Sequence, residues 1–197
     1  MKLIFISGPS GSGKTTLSKQ IIGKIKNGII LSTDNYYKVG LTSKFLSKFV
    51  ECYFDRSISF NLKLFKKDFD FILNNGISIN ERLYNFKKKT INNFLKETNN
   101  INFLIIEGIF AKEFSSSLCN ENYSFLEIKI DKKECMNRIL QRDFKERGKT
   151  KKQAEKDFLK SWDIYYEKFK NKKIKKNVNK FIITKNTSID QILKKLF

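Results

Sequence analysis

Apolar residues follow two rhythms along this chain. Short runs dominated by apolar residues occur at Leu3–Ser7, Ile29–Ser32, Phe103–Ile106, Phe125–Ile130 and Phe181–Thr184. Runs of that length and density are the pattern of buried strands. Between them the apolar positions recur every three or four residues, which predicts helices over Thr15–Lys26, Phe60–Asn74, Lys132–Glu146, Lys151–Lys170 and Ser188–Leu196. The second of these carries Leu64, Phe65, Phe69, Ile72 and Leu73 on one stripe, with Gly76 as its stop. Strands alternating with helices predict an α/β fold: a parallel sheet of about five strands covered by helices on both faces.

Two stretches break the alternation. ISINERLYNF, within Gly76–Thr90, alternates and carries turn residues, so a small hairpin beside the main sheet is predicted there. Gly40–Arg56 has no clear period and reads as an irregular loop, of a length that is usually functional or mobile. Phe158, Trp162, Tyr165 and Phe169 lie at helical spacing and read as core packing, as do Tyr36 and Tyr37. Repeats, Pro/Gly linkers and low-complexity blocks are missing, so residues 1–197 read as one domain.

Composition narrows the function classes. The 19 Phe and 40% hydrophobic content belong to a globular chain. No apolar run approaches the roughly 18 residues that a membrane span needs. The run at the N-terminus is too short for a signal peptide and reads as a strand. Cys52, Cys119 and Cys135 lack metal-site or disulfide spacing and read as reduced thiols in a cytoplasmic protein. With no histidine, any general base must be a carboxylate or something weaker. The net charge of +20 invites a nucleic-acid reading. Abundant Lys, Asn, Ile and Phe are also what A/T-rich codons produce, and that bias plus an anionic substrate accounts for the charge without nucleic acid.

Four short stretches carry chemistry. GPSGSGKTTL, residues 8 to 17, follows the first strand and opens the first helix. Gly8, Gly11 and Gly13 let backbone N–H groups close on phosphate, together with Ser10, Ser12 and Thr16. Lys14 reaches the β- and γ-phosphates of a nucleotide and Thr15 offers its hydroxyl to Mg²⁺. LSTDNYYK places Asp34 just past the second strand, where an open α/β sheet binds ligands. It can accept a proton from a substrate hydroxyl, and it can equally be a turn or helix-cap aspartate. FLIIEG ends a strand in Glu107, a position for holding Mg²⁺ through water or for an ordinary surface glutamate. RILQRDFKERGK sets Arg138 and Arg142 on one helical face, with Arg147-Gly148-Lys149 where the helix should stop. Such a run can neutralise a transferring phosphoryl group, or be a solvated basic face.

Taken together and in this order, the four sites resemble the uridine kinase (uridine–cytidine kinase) branch of the P-loop kinases, from Leu3 to about Thr184. The resemblance implies the nucleoside-kinase fold, ATP with Mg²⁺, a lid at about 142–153 and a substrate-side excursion at about 40–90. It assigns the catalytic aspartate to Asp34 and a ribose-binding aspartate to Asp55, in YFDRSISF. It assigns a base-contacting tyrosine to Tyr84, in LYNF. Arg138, Arg142, Arg147, Lys149 and Gln153 fall where the family contacts phosphate and ribose. The family's base-reading histidine and the arginine after it align with Lys89 and Ile91, and its Ser-Phe pair after the catalytic aspartate with Asn35 and Tyr36. A lysine donates but cannot accept, so Lys89 suits the carbonyl of uracil better than the amino group of cytosine.

The expected reaction is therefore ATP-dependent phosphorylation of the 5′-hydroxyl of uridine, with cytidine poorer. The partners expected are that small acceptor and, in a homo-oligomer, further copies of the chain, with no membrane. Kinases of the superfamily acting on nicotinamide riboside, ribulose phosphate, glycerate or pantothenate are the alternative. A nucleic-acid-associated ATPase would use the charge, but no further motif for it is found. A GTP switch would need an Asn-Lys-x-Asp element, which the sequence lacks.

Overall fold

The computed structural model describes residues 1–75, 78–98, 100–118, 122–168, 174 and 178–197. Gly76, Cys119 and Phe169, read above as a helix stop, a reduced thiol and a core residue, lie outside the described residues. In chain order the elements are β1 (Lys2–Ser7), α1 (Lys14–Lys24), β2 (Gly28–Ser32), α2 (Leu41–Phe49), α3 (Leu62–Asn75), β3 (Ser78–Asn85) and β4 (Thr90–Glu97). Then come β5 (Phe103–Glu107), α4 (Ala111–Leu118), β6 (Ser124–Ile128), α5 (Lys132–Arg147), α6 (Lys151–Lys168), β7 (Asn179–Ile183) and α7 (Ile189–Leu196).

Five strands form a parallel sheet in the order β2-β5-β1-β6-β7. Side chains alternate between its faces, so each strand feeds two cores. Leu3, Phe5, Leu104, Ile106 and Phe125 meet the phenylalanines of α3 and α4, among them Phe65, Phe69 and Phe114. Ile4, Ile6, Ile105 and Leu126 meet Leu17 and Ile21 of α1 and Ile192 and Leu196 of α7. Both faces are covered, which is why the strands read as apolar runs. Phe158 and Tyr165 are buried as expected, and Trp162 packs part-buried against Phe158.

The helix ends are explicit. Asp131 accepts from the Lys133 and Glu134 amides at 2.8 and 3.3 Å and so caps α5. Gly148 ends it in the left-handed region, at φ 65°. Ser188 and Gln191 form a capping box on α7.

Three elements differ from the sequence reading. Gly40–Arg56, expected as irregular, contains α2. Its Leu41, Phe45 and Phe49 do repeat at helical spacing, but they face solvent, so no core stripe marks the helix. α4 was not predicted at all. The hairpin predicted within Gly76–Thr90 is present but longer: Ser78–Asn85 of that stretch is a single strand, β3, paired with β4, which is exposed along nearly its whole length and so offers no burial alternation to read. No helix among the described residues is long and apolar enough to cross a membrane.

Candidate active site

Three neighbouring strands deliver the chemistry to one rim. β1 ends at Ser7 and runs into the glycine loop, β2 ends at Ser32 just before Asp34, and β5 ends in Glu107. Glu107 stands in register with Ile6 of β1 and Ser32 of β2. This is the carboxyl edge of an open α/β sheet, where ligands bind. Just beyond it Gly108 sits at φ 144°, and a Cβ there would lie 1.7 Å from Thr33 Oγ1. Only glycine lets β5 leave the sheet against the turn that carries Asp34.

The loop turns tightly on its glycines, and the Ser12 amide donates to Pro9 O at 3.1 Å. Gly11 and Gly13 hold φ of 79° and 89°, and a Cβ on Gly11 would meet the Cys135 carbonyl oxygen at 2.7 Å. Gly13 begins α1 with no side-chain cap, leaving the first N–H groups of that helix for an anion. Ser12 Oγ is buried with no hydrogen-bond partner, as a group reserved for a ligand would be. Lys14, itself buried, rests its amino group on the carbonyls of Gly8 and Pro9 at 3.1 and 3.0 Å.

Thr15 Oγ1 donates to Glu107 Oε1 at 3.1 Å, which joins loop to strand end. Glu107 is 1% exposed. Burial raises its carboxyl pKa, and repulsion from Asp34 adds to this, against the pull of Lys14, Ser32 and Thr15. Two oxygen donors held together beside an anion cradle are a fitting donor set for a hard divalent cation.

Across the rim lies a cavity of about 60 Å³ whose lining includes Ser10, Asp34, Asp55, Arg142, Arg147 and Lys149. Tyr37, Phe54 and Phe86 form its aromatic side. Asp34 Oδ1 is buried and accepts no hydrogen bond, so the cap or turn role is not engaged at that oxygen. Asp55 is bonded to the Ser161 hydroxyl; burial raises its pKa, Asp34 raises it further, and Arg147 and Lys149 oppose the shift. Small-molecule pockets typically run to about 300–1,000 Å³, so an acceptor of nucleoside size requires this cavity to widen.

The cations above the cavity share one anchor. Asp143, its side chain 4% exposed, accepts from Arg142 Nε and Nη2 at 3.0 and 2.8 Å. It also pairs with Arg147 at 3.6 Å and with Lys149 at 3.3 Å. Burial alone would raise the Asp143 carboxyl, but Arg147, Arg142 and Lys149 together outweigh it and hold the group below its usual value. The Arg147 guanidinium also lies over the Phe86 ring at 4.2 Å. Asp143, Ser161 and Phe86 were not singled out in the sequence, because only their neighbours give them a role.

Other sequence candidates lie elsewhere. Arg138 is exposed, donates to Gly11 O at 3.4 Å and pairs with Glu134. With Ser12, Gly13 and Thr16 it lines a second cavity, of about 360 Å³, closed by the β7–α7 turn at Thr184 and Lys185. That turn was missed, although a polar turn at the carboxyl end of a sheet strand is a signal for it. Gln153 accepts from the Thr150 amide and hydroxyl and caps α6 instead of entering the cavity. Tyr84 is buried behind Tyr37 and Phe86, its hydroxyl without a partner and pushed up to about 12, by burial first. Lys89, in the β3–β4 turn, donates to Ser47 of α2 and is not among the cavity residues.

Comparison with known proteins gives the chain a family. The profile of the phosphoribulokinase/uridine kinase family matches residues 3–177. The chain belongs to that family. A uridine kinase of Borrelia duttonii is 32% identical over 173 residues, covering 86% of this chain and 80% of that one. The family member described here is a small-molecule kinase, acting on a nucleoside or another small metabolite.

Solved structures agree on the fold. A D-glycerate 3-kinase from Cryptococcus neoformans superimposes with a TM-score of 0.60 at 16% identity, over 96% of this chain and 87% of its own. A possible uridine kinase from Bacillus stearothermophilus gives 0.59 at 14% identity, over 90% and 87%.

Proposed function

We propose that the protein transfers the γ-phosphoryl group of ATP to the 5′-hydroxyl of a pyrimidine nucleoside, uridine before cytidine, an order supported by relatives named uridine kinase and not by Lys89, which stands away from the cavity. The products are the nucleoside monophosphate and ADP. One observation carries this reading: the cavity beside the glycine loop is lined at once by Asp34, whose buried Oδ1 accepts no hydrogen bond, by a second carboxylate, Asp55, and by the cations Arg142, Arg147 and Lys149.

Each residue has a step. Gly8 to Thr16 hold the triphosphate, with Lys14 exchanging the loop carbonyls for phosphate oxygens. The 360 Å³ cavity takes the nucleoside end of ATP. Thr15 and Glu107 would hold Mg²⁺, which would neutralise charge on the phosphate oxygens. Asp55 holds ribose hydroxyls, with Tyr84 contributing its ring to the aromatic wall behind the acceptor. Asp34 takes the proton of the attacking hydroxyl as its oxygen bonds to the γ-phosphorus and the bond to the β–γ bridging oxygen breaks. Arg142, Arg147 and Lys149 leave Asp143 for the transferring group, whose charge they stabilise. A cytoplasmic setting and reduced thiols fit this chemistry.

Acceptance of another small hydroxylated metabolite is supported by the position of Lys89, which is held by Ser47 rather than at the cavity. ATP consumption measured with uridine, cytidine, nicotinamide riboside, glycerate and pantothenate separates the readings. Turnover with uridine supports the first; turnover confined to an acceptor that is not a pyrimidine nucleoside supports the second.

A further inference from the structure

Behind the turn that carries Asp34 lies a buried ionic cluster with no part in the steps above. Asp68 of α3 is 2% exposed and is gripped by Arg82 of β3, whose Nε donates to Oδ2 and Nη2 to Oδ1 at 3.0 Å. The remaining nitrogen of the fork, Nη1, donates to Asn93 of β4 at 2.7 Å. Tyr36, 1% exposed, donates its hydroxyl to the same Asp68 Oδ2 at 3.0 Å. One residue earlier, Asn35 Oδ1 accepts from the backbone N–H of Tyr84 at 3.2 Å. The two residues following Asp34 are thus bonded to both arms of one anchor: one through α3 to β3, the other to β3 itself.

A buried ion pair is a poor stabiliser, since an apolar set of the same volume commonly does as well. What it does supply is direction. Arg82 offers a planar fork to a carboxylate that also takes a third donor, and all three bonds are satisfied only in one arrangement of turn, helix and hairpin. The side chains are suited to these two bonds: a phenylalanine at Tyr36 would have no hydroxyl to reach Asp68, and a serine at Asn35 would lack the amide group that meets the Tyr84 amide.

We infer that Asp68, Arg82, Tyr36 and Asn35 are positioning residues that lock the Asp34 turn to the β3–β4 hairpin, so that the base and the acceptor wall keep a fixed relation. The inference rests on Asp34 being the base. Tyr36 can hold its part throughout the working range, because burial first, and then Asp68, push its hydroxyl pKa far up and keep the proton on the donor.

The test uses the full chain with Mg²⁺·ATP and uridine, and the variants Tyr36→Phe, Arg82→Met and Arg82→Lys. Tyr36→Phe and Arg82→Met are expected to lower kcat for uridine phosphorylation about tenfold or more, with KM for ATP within about twofold and ATP hydrolysis to water unchanged. Arg82→Lys restores only part of the loss, because an ammonium cannot span both carboxylate oxygens. A second readout needs no acceptor. Exchange of the Tyr36 amide, bonded to Thr33 O at 3.1 Å, is expected to quicken at least tenfold in Arg82→Met, while β1 and α1 stay as slow as before.

Unchanged exchange at the turn overturns the inference. So does a fall in acceptor turnover and water hydrolysis by the same factor, which marks a merely structural cluster. The base assignment fails separately, if Asp34→Asn retains full turnover, and a kcat loss in Tyr36→Phe would then show that the turn positions some other group.

Discussion

Lys14 and Thr15 are neighbours in sequence yet hold different partners, the loop carbonyls and Glu107. On the proposed mechanism Lys14→Met removes the charge that meets the transferring phosphate, and Thr15→Ala removes a hydroxyl proposed to hold the metal. Both are expected to cut phosphoryl transfer at least 100-fold, the scale of a lost electrostatic contact to the reacting group, while circular dichroism stays that of the wild type. A folded Lys14→Met protein with normal activity would sink the phosphate-loop assignment. Glu107 allows a second check, by pH. Its folded-state pKa is raised, so its contribution to stability is fully present below the ordinary glutamate value and is lost as pH rises through the raised one. Glu107→Gln should therefore melt above the wild type at pH 8, with the gap closing towards pH 4. A variant no more stable than the wild type at pH 8 would show that the carboxylate is not held at a cost.

The α5–α6 junction carries the next prediction, at the scale of elements. Three cations share one buried carboxylate there, so Asp143 holds the Arg142–Lys149 cluster in place, and on the proposed mechanism phosphates compete for it. Its folded pKa is lowered, so the stability it lends is present above the ordinary aspartate value and is lost as pH falls through the lowered one. Because its cations are 23–32% exposed, Asp143→Asn should cost about 1–3 kcal/mol at pH 7, below the full value for a buried pair. Chemical denaturation at pH 7 and pH 3 measures it; an equal cost at both would contradict the ionic account. Hydrogen exchange across residues 142–153 should slow when a bisubstrate mimic binds, with Gly148 as the hinge. Equally slow exchange without ligand would contradict a lid.

What sequence could and could not reveal divides along the same physical line. Buried parallel strands announce themselves as apolar runs, so all five strands of the main sheet were legible to within about two residues. α2 and β4 turn their apolar residues to solvent, so burial left no pattern in them to read. Asp34, Lys14, Thr15 and Glu107 were legible because strand ends bring them to one rim. Asp143, Asp68 and Arg82 were not, because their meaning lies in partners that only the packed chain supplies.

For the molecule as a whole, the +20 charge is the feature least absorbed by the site. If it reflects codon bias plus an anionic substrate, ATP-dependent transfer should be indifferent to added RNA or DNA at 150 mM salt, where surface charges more than about 8 Å apart are screened. Stimulation by nucleic acid that falls steeply with salt would instead restore the ATPase reading. The central claim is that this fold brings a phosphate loop and a carboxylate base to one hydroxyl acceptor. The most direct measurement follows the γ-phosphoryl group of labelled ATP into uridine, for the wild type and for Asp34→Asn. Labelled uridine monophosphate should form with the wild type and fall by about 10²–10⁴-fold in Asp34→Asn, with ATP binding retained. The account is contradicted if the variant makes the product at the wild-type rate, or if the wild type binds ATP and transfers its phosphoryl group to no nucleoside.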